Sequence, residues 1–432
     1  MAGLQPWAGV AQFRAMNIRK ATLQDVPSWL DLVRTVLGDD YPDKQVYDSG
    51  WASDQLQDGD GETWIAEEGG VVFSSVSFLV AGPENLNPVG NLGRHLNRPE
   101  SYGNGAAQGL IQKAVELASA RRHMLISRVI ASDQQQQLLY ENSGFVCVGF
   151  QPFKHTHRVR ESVLFYYRTG GHDLTGRLPI SESLPQVGEL AQLVLERLNL
   201  PQIALVRDGV TGYPLQSESE YSEGTRDDYD LWKLQAKNSN PPVEVSGLYN
   251  QGQGFMRTIS QEVRALFVMR EGKVTAGLLY SHDAVDRCVR LLDSFSQDDL
   301  SLGPAVNHLV KIAQEQFSSV YVEMDVLATA PRLLKSAEQI GFVPVAYLPA
   351  VYSKADGFVD VVKLVKLNLV YSLENVSLTA EAKGIVEAID HNYQDQKMGV
   401  AIINLLRALP FFDGLGDGEL RKIARLFTQK LF

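Results

Sequence analysis

Cysteine is nearly absent: Cys147 and Cys288 are the only two in 432 residues. Two distant thiols without ligand-like spacing offer neither a disulfide framework nor a thiolate metal site, and this fits a reducing, cytoplasmic setting. Long apolar runs are missing too. No stretch reaches the roughly 18 residues that a membrane span needs, and the first fifteen residues lack a basic start followed by an apolar core. The sequence therefore predicts neither export nor membrane insertion. Basic residues are in deficit, with 40 Lys and Arg against 51 Asp and Glu and a net charge of −11. That balance repels phosphate backbones and anionic lipid, so neither nucleic acid nor a membrane surface is expected as a partner.

What is present is core material. At 44% hydrophobic and 9% aromatic, the chain has enough apolar surface for ordinary globular domains. Its length predicts about three of them. Thr22-Leu23-Gln24-Asp25 has the spacing of a capping box, opening a helix with Val26, Leu30, Val33 and Val36 on its apolar face. The β-rich runs 63–68 and 71–80 meet at Gly69-Gly70, a two-residue connection suited to a hairpin. Glu100-Ser101-Tyr102-Gly103-Asn104-Gly105 precedes a helix over about 106–121. A strand over 124–131, a short helix over 134–142, and strands over 146–150 and 162–168 follow. Thr169-Gly170-Gly171 breaks the pattern.

The same punctuation recurs in the second half. Phe267 to Val274 echoes Ile65 to Val71, and Ile340-Gly341-Phe342 echoes Ser143-Gly144-Phe145. Gly69 and Gly144 lie 75 residues apart, and Gly272 and Gly341 lie 69 apart. Two marks in the same order at similar spacing point to two copies of one fold. The acid-rich stretch 213–240 reads as an insertion or surface loop. From residue 371 the pattern is helical, with Thr379 as a cap and Ile385, Val386 and Ile389 on an apolar face.

Gly103-Asn104-Gly105 at a helix start lets backbone N–H groups point at an anion with help from the helix dipole, although glycines there also serve plain turn chemistry. With the downstream Leu139-Tyr140-Glu141-Asn142-Ser143-Gly144-Phe145, the order of elements resembles the GNAT superfamily of N-acetyltransferases. Its pattern pairs a Gln/Arg-x-x-Gly-x-Gly/Ala loop with Leu-Tyr-x-x-x-Gly-Phe. The resemblance implies an α+β fold in which a mixed, mostly antiparallel sheet is flanked by helices. Acetyl-CoA or another acyl-CoA would be bound by Glu100, Ser101, Tyr102, Gly103, Asn104, Gly105 and Asp133. Glu100 departs from the Gln/Arg slot, and Asp133 stands where many members have Asn.

The resemblance also implies that Tyr140 protonates the departing thiolate. A phenol with an ordinary pKa of about 10 is protonated at neutral pH and can serve a thiolate whose acid has a pKa near 8.5; the alternative is a packed helix tyrosine. His95 is the nearest candidate base, with Glu67 and Glu68 as others. His155 and His157, at i and i+2 on a strand, would face one way, but no third ligand is marked and no metal is expected.

The second copy has Ala337 at the tyrosine position. Its loop 297–304 holds one glycine, two acids and Pro304, which removes an N–H at the helix start. The chain is thus expected to comprise a tail (1–15), a catalytic GNAT domain (16–171), a degenerate second copy (172–370) and a helical segment (371–432). Within that segment, Leu409 to Leu420 resembles the opening of a cyclic-nucleotide-binding domain. The expected function is acyl transfer to an amine acceptor, a small molecule or a protein lysine, by direct attack on the thioester. The alternatives are an acyl-CoA-sensing regulator and another acyl-CoA reaction such as decarboxylation. Oligomeric state stays open.

Overall fold

Gly69 and Gly70 adopt positive φ of 60° and 84°, the geometry that turns a strand back on itself within two residues. In the computed structural model they join β2 (Gly61–Glu68) to β3 (Val71–Val80), and β1 (Asn17–Lys20) pairs antiparallel with β2. The structure describes residues 16–424 and 426, apart from 58–60, 81–87, 171–173, 208, 238–241, 248–251, 254–255 and 259–262. The expected tail 1–15 lies outside the described residues.

β4 (Val89–Asn97) runs antiparallel to β3, and β5 (Met124–Ile130) runs parallel to β4. The hairpin of β6 (Val146–Thr156) and β7 (Arg160–Thr169) closes on β5 through β7. A second series has the same order. β8 (Glu220–Thr225), β9 (Val263–Arg270), β10 (Lys273–Asp283) and β11 (Cys288–Ser296) form antiparallel neighbours. β12 (Tyr321–Leu327) is parallel to β11, and the hairpin of β13 (Val343–Lys354) and β14 (Gly357–Leu367) closes on β12 through β14. Gly149 of β6 pairs with Ala346 of β13, and this seam makes one 14-stranded mixed sheet. A Cβ at Gly149 would overlap that of Ala346, so the close approach requires glycine.

The helices cover this sheet. α1 (Val26–Leu37) and α2 (Ser49–Gln57) build a core around Trp29, Leu32 and Val33. The Asp25 carboxylate accepts from the Thr22 N–H at 2.8 Å and from both terminal nitrogens of Arg19 at 2.7 Å, fixing the chain's entry into α1. Those bonds, Arg19's first, hold the Asp25 carboxyl down at about 2. α3 (Pro99–Gly103), α4 (Ala106–Ser119) and α5 (Gln134–Glu141) belong to the first half, and α8 (Leu302–Glu315) and α9 (Pro331–Ile340) occupy the places of α4 and α5 in the second.

One expectation needs correction. The acid-rich segment 213–240 is not a surface loop: it contains β8 and α7 (Arg226–Ala236), whose Tyr229 and Ala236 are buried against Phe267 and Phe295. The C-terminal helices pack on the sheet. α10 (Ala380–Arg407) lies with α6 (Pro185–Arg197) over β6 and β13, burying Ile385, Val386 and Ile389. Thr379 caps α10, its Oγ1 accepting from the Ala382 N–H at 3.2 Å. α11 (Asp417–Ala424) packs Leu420 and Ala424 on Ile403 and Leu406 near the end of α10. No helix among the described residues is long and apolar enough to cross a membrane.

Between the halves lies a buried polar network. Glu323 accepts from Gln151 at 2.8 Å and pairs with Lys154 at 3.0 Å and with Arg290. Burial pushes its carboxyl up, but Arg290, Lys154 and Lys363 together outweigh that and hold it well below the usual range. Lys363 pairs with Asp325 at 2.6 Å, both fully enclosed.

Candidate active site

Gly105 is the N-cap of α4 with φ 80°, a left-handed conformation that glycine adopts without strain. Its carbonyl accepts from the Gly109 N–H at 2.9 Å, and Asn104 Oδ1 takes the Ala106 N–H at 3.0 Å. Helix geometry leaves the Ala107 and Gln108 N–H groups as the remaining donors of the first turn. Gly103 is exposed, and a side chain there would meet nothing within 4 Å. Glu100, the departure in this loop, points to solvent. Ser101 is buried, and its hydroxyl donates to the Arg98 carbonyl at 2.6 Å, a structural bond within the turn.

Tyr102 and Asp133 come together. The Tyr102 hydroxyl donates to Asp133 Oδ2 at 3.2 Å and accepts from Asn97 Nδ2 at 3.3 Å, and Asp133 Oδ1 caps α5 by accepting from the Gln136 N–H at 2.9 Å. Burial and then the Asp133 charge push the Tyr102 hydroxyl above its ordinary range. This chain ties the end of β4 to the glycine loop and to the start of α5. Asn97, the β4 end of these bonds, carries no sequence signal.

β4 and β5 pair from Val89 and Met124 as far as Leu92 and Ser127, where Ser127 Oγ donates to the Leu92 carbonyl at 2.8 Å, and then part. A bulge follows on β4: Arg94 and His95 together face Val76 of β3, and Arg94 takes φ 52°. Arg94, His95 and Leu96 are buried one after another, as Val89 to Leu92 are, because both faces of β4 are covered. The splay encloses a cavity of about 30 Å³ between Gly93, Arg94, Ser127, Arg128, His155 and Phe165.

His95 and Tyr140 sit beside this splay, edge to face with ring centroids 5.6 Å apart. Phe145 and Tyr166 complete the aromatic cluster at 5.0 and 5.9 Å from Tyr140. Both imidazole nitrogens and the Tyr140 hydroxyl are buried without a hydrogen-bond partner. Burial pulls His95 down to about 4 and pushes Tyr140 above its ordinary range. Unpaired polar atoms of this kind each cost about 1–3 kcal/mol, and such orphans mark a place where a ligand can supply the missing bond. Burial also pushes the Cys147 and Cys288 thiols up to about 12 and 11, so neither is a ready nucleophile.

The other candidates fall elsewhere. Glu67 accepts from Asn17 Nδ2 at 2.8 Å and from the Gly70 N–H at 3.1 Å, bracing the hairpin turn. His155 and His157 do not face one way. His155 Nδ1 meets Asp286 Oδ2 at 2.9 Å, whereas His157, past the end of β6, meets the Leu37 carbonyl through Nε2 at 2.8 Å. The strand ends at Thr156, so His157 lies in the connection to β7 and strand alternation does not extend to it. Among the described residues no three His, Cys, Asp or Glu side chains gather as a metal site.

No family model matches the sequence, and no curated protein matches it. Solved structures do. An acetyltransferase of the GNAT family from Streptococcus pneumoniae is 20% identical and covers 36% of this chain and 99% of its own, at a TM-score of 0.31. For a ribosomal-protein-alanine N-acetyltransferase from Brucella melitensis the values are 21%, 35%, 99% and 0.31. For a phosphinothricin acetyltransferase of the GNAT superfamily from Sinorhizobium meliloti, in complex with AcCoA, they are 15%, 37%, 90% and 0.32.

In the second half the frame is kept and the phenol is not. The Phe145 N–H donates to the Tyr140 carbonyl at 3.1 Å, and the Phe342 N–H to the Ala337 carbonyl at 2.9 Å. Gly144 and Gly341 both have positive φ, 80° and 102°. The same helix end thus carries a phenol in one half and a methyl group in the other.

Proposed function

We propose that the chain is an acyl-CoA-dependent N-acyltransferase of the GNAT type, with acetyl-CoA as the donor and its reactive site in residues 16–171. The observation that carries this reading is the meeting of Tyr140 and His95, desolvated and unpartnered, beside the β4–β5 splay and within one linked structure with the glycine loop. The exposed flank of Gly103 and the first-turn N–H groups of α4 suit a diphosphate.

The reaction needs no enzyme-bound intermediate. A neutral amine nitrogen attacks the thioester carbonyl carbon, the C–S bond of the tetrahedral adduct breaks, and the amine's surplus proton leaves to a base. The thiolate sulfur takes a proton from Tyr140 Oη, which is then restored from that same surplus. Because burial disfavours a free phenolate, the two transfers are coupled in time. His95 in its buried state is a weak base. It assists by accepting a hydrogen bond from the amine, and water completes proton removal.

Residues 172–370 support this site as a second, degenerate copy of the fold. Arg94 Nε donates to the Met256 carbonyl at 2.8 Å, and Met256 is buried among the residues around Leu96 and Trp29. A residue of the second half thus packs against β4, which supports reading the second half as a wall of the acceptor cleft. Residues 409–420 keep their resemblance to the front of a cyclic-nucleotide-binding domain as a proposal, to be tested by cyclic AMP titration.

The test of the main reading is thiol release from acetyl-CoA across polyamines, amino acids and lysine peptides, with product masses recorded. Acylated amine formed by the parent chain and not by Tyr140→Phe supports it. Tight acetyl-CoA binding without turnover on any amine would favour the sensing alternative, for which the weak basicity of His95 speaks.

A further inference from the structure

The halves share a strand order but differ at one point in the sheet. β11 and β12 pair as far as Leu291 and Met324 and then part, as β4 and β5 do after Leu92 and Ser127. In the second half a short extended segment enters the gap. The Leu327 N–H donates to the Glu244 carbonyl at 2.8 Å, the Ser246 N–H to the Asp325 carbonyl at 3.0 Å, and the Gly247 N–H to the Leu292 carbonyl at 2.7 Å. Val245 bridges to Val326 and Ser246 to Asp293, antiparallel to both strands. Backbone groups that the splay frees from one another are thus satisfied by the chain itself. A side chain at Gly247 would crowd the Asp325 carboxylate at 3.1 Å.

A neighbouring stretch covers the start of α8. The Pro214 carbonyl oxygen fills the space that a side chain at Gly303 would take. The Leu215 carbonyl accepts from Asn307 Nδ2 at 3.3 Å, and the Tyr213 N–H donates to Ser336 Oγ on α9 at 2.7 Å. Tyr213 Oη then donates to Glu244 Oε1 at 2.6 Å, linking the two stretches, and the Arg332 guanidinium lies over the Tyr213 ring at 4.2 Å. The start of α8, the face of α9 and the β11–β12 splay are the counterparts of α4, α5 and the β4–β5 splay. All three are met by residues 213–215 and 244–247.

We propose that these two stretches act as a built-in ligand of the second half, filling the groove equivalent to the acyl-CoA site of the first, so that each chain holds one acyl-CoA and not two. The assignment of that equivalent groove rests on the transferase reading above; the occupancy by the chain's own backbone does not. A tethered segment competes at the effective concentration its linker sets, which free acyl-CoA has to exceed to displace it. Pro304 removes one of the N–H donors a diphosphate would need.

Amide hydrogen exchange of the intact, ligand-free chain, followed by mass spectrometry, tests the occupancy. Peptides spanning 244–247 should exchange as slowly as those spanning 321–327, about 10²-fold or more below unstructured rates. Exchange at unstructured rates overturns the proposal. Ser246→Pro removes the donor to Asp325 and should raise exchange over 321–327 about tenfold or more. Should that variant fail to fold, Tyr213→Phe removes only the bond to Glu244 and should speed exchange at 244–247, and no change there counts against the proposal.

Calorimetry with acetyl-CoA separates the two readings. One site per chain, lost in Gly105→Pro and kept in Tyr213→Phe, supports both. Two equal sites overturn the built-in ligand. No site, with slow exchange at 244–247, upholds the built-in ligand and overturns the transferase reading.

Discussion

The imidazole of His95 stands edge-on to the phenol of Tyr140, 5.6 Å between ring centroids, and neither side chain has a hydrogen-bond partner. One residue comes from a strand and the other from a helix, and both are buried. Replacing Tyr140 by Phe keeps the ring packing and removes an unsatisfied hydroxyl. The melting temperature should therefore hold or rise by a few degrees, since the lost group costs about 1–3 kcal/mol where it sits. Single-turnover acyl transfer should fall by ~10² to 10⁴-fold with acetyl-CoA affinity unchanged. A stable variant that turns over at the parental rate would return Tyr140 to a packing role.

His95 makes stability depend on pH. Its pKa falls from the ordinary 6.5 to about 4 because burial disfavours the cation. The unfolded chain therefore binds more protons than the folded one between these values, and stability rises with pH across that window. Acidifying from about pH 7 to about pH 5 should cost about 2 kcal/mol through this group alone. Guanidinium unfolding of the parent and of His95→Gln at both pH values measures it. The parent should lose about that much more than the variant.

Gly103 and Gly105 should separate under mutation. Gly105→Pro imposes a negative φ where the structure has 80° and should abolish acetyl-CoA binding in calorimetry. A Cβ at Gly103 meets no neighbour within 4 Å and the site is exposed, so Gly103→Leu should fold as the parent does. Its side chain would project over the first-turn N–H groups of α4, and affinity for acetyl-CoA should drop by about tenfold or more.

Glu323 holds the seam network together. Glu323→Gln leaves Lys154 and Arg290 buried without their shared carboxylate, and uncompensated buried charge typically costs about 3–5 kcal/mol. The guanidinium midpoint should fall accordingly. Lys154→Met in the Glu323→Gln background should recover part of the loss.

How much of this was legible in the sequence depended on how local each signal was. The Gly69-Gly70 hairpin, the Asp25 cap and the Tyr140 to Phe145 helix end each lie within a few residues, and each stands where the local pattern placed it. β4 gave no such pattern. Its sequence, VGNLGRHLN, mixes glycines with Arg, His and Asn, and its burial comes from cover on both faces. Asn97, which joins Tyr102 to Ser74, was invisible for that reason. The partner of His155 is Asp286, 131 positions away, and no spacing rule connects them. Residues 244–247 are strand-like only because two other strands part to receive them.

The seam at Gly149 and Ala346 also bears on the order of folding. Joining those positions closes a loop of about 200 residues, whereas the hairpins within each half close over a few, so the halves assemble before they dock. A refolding chain then passes through a species in which β6 and β13 are each a bare edge. Such edges pair as readily with another molecule as with their own. Refolding yield should accordingly fall with protein concentration, and the by-product of slow docking should be a swapped dimer in which β6 of one copy completes the sheet of the next.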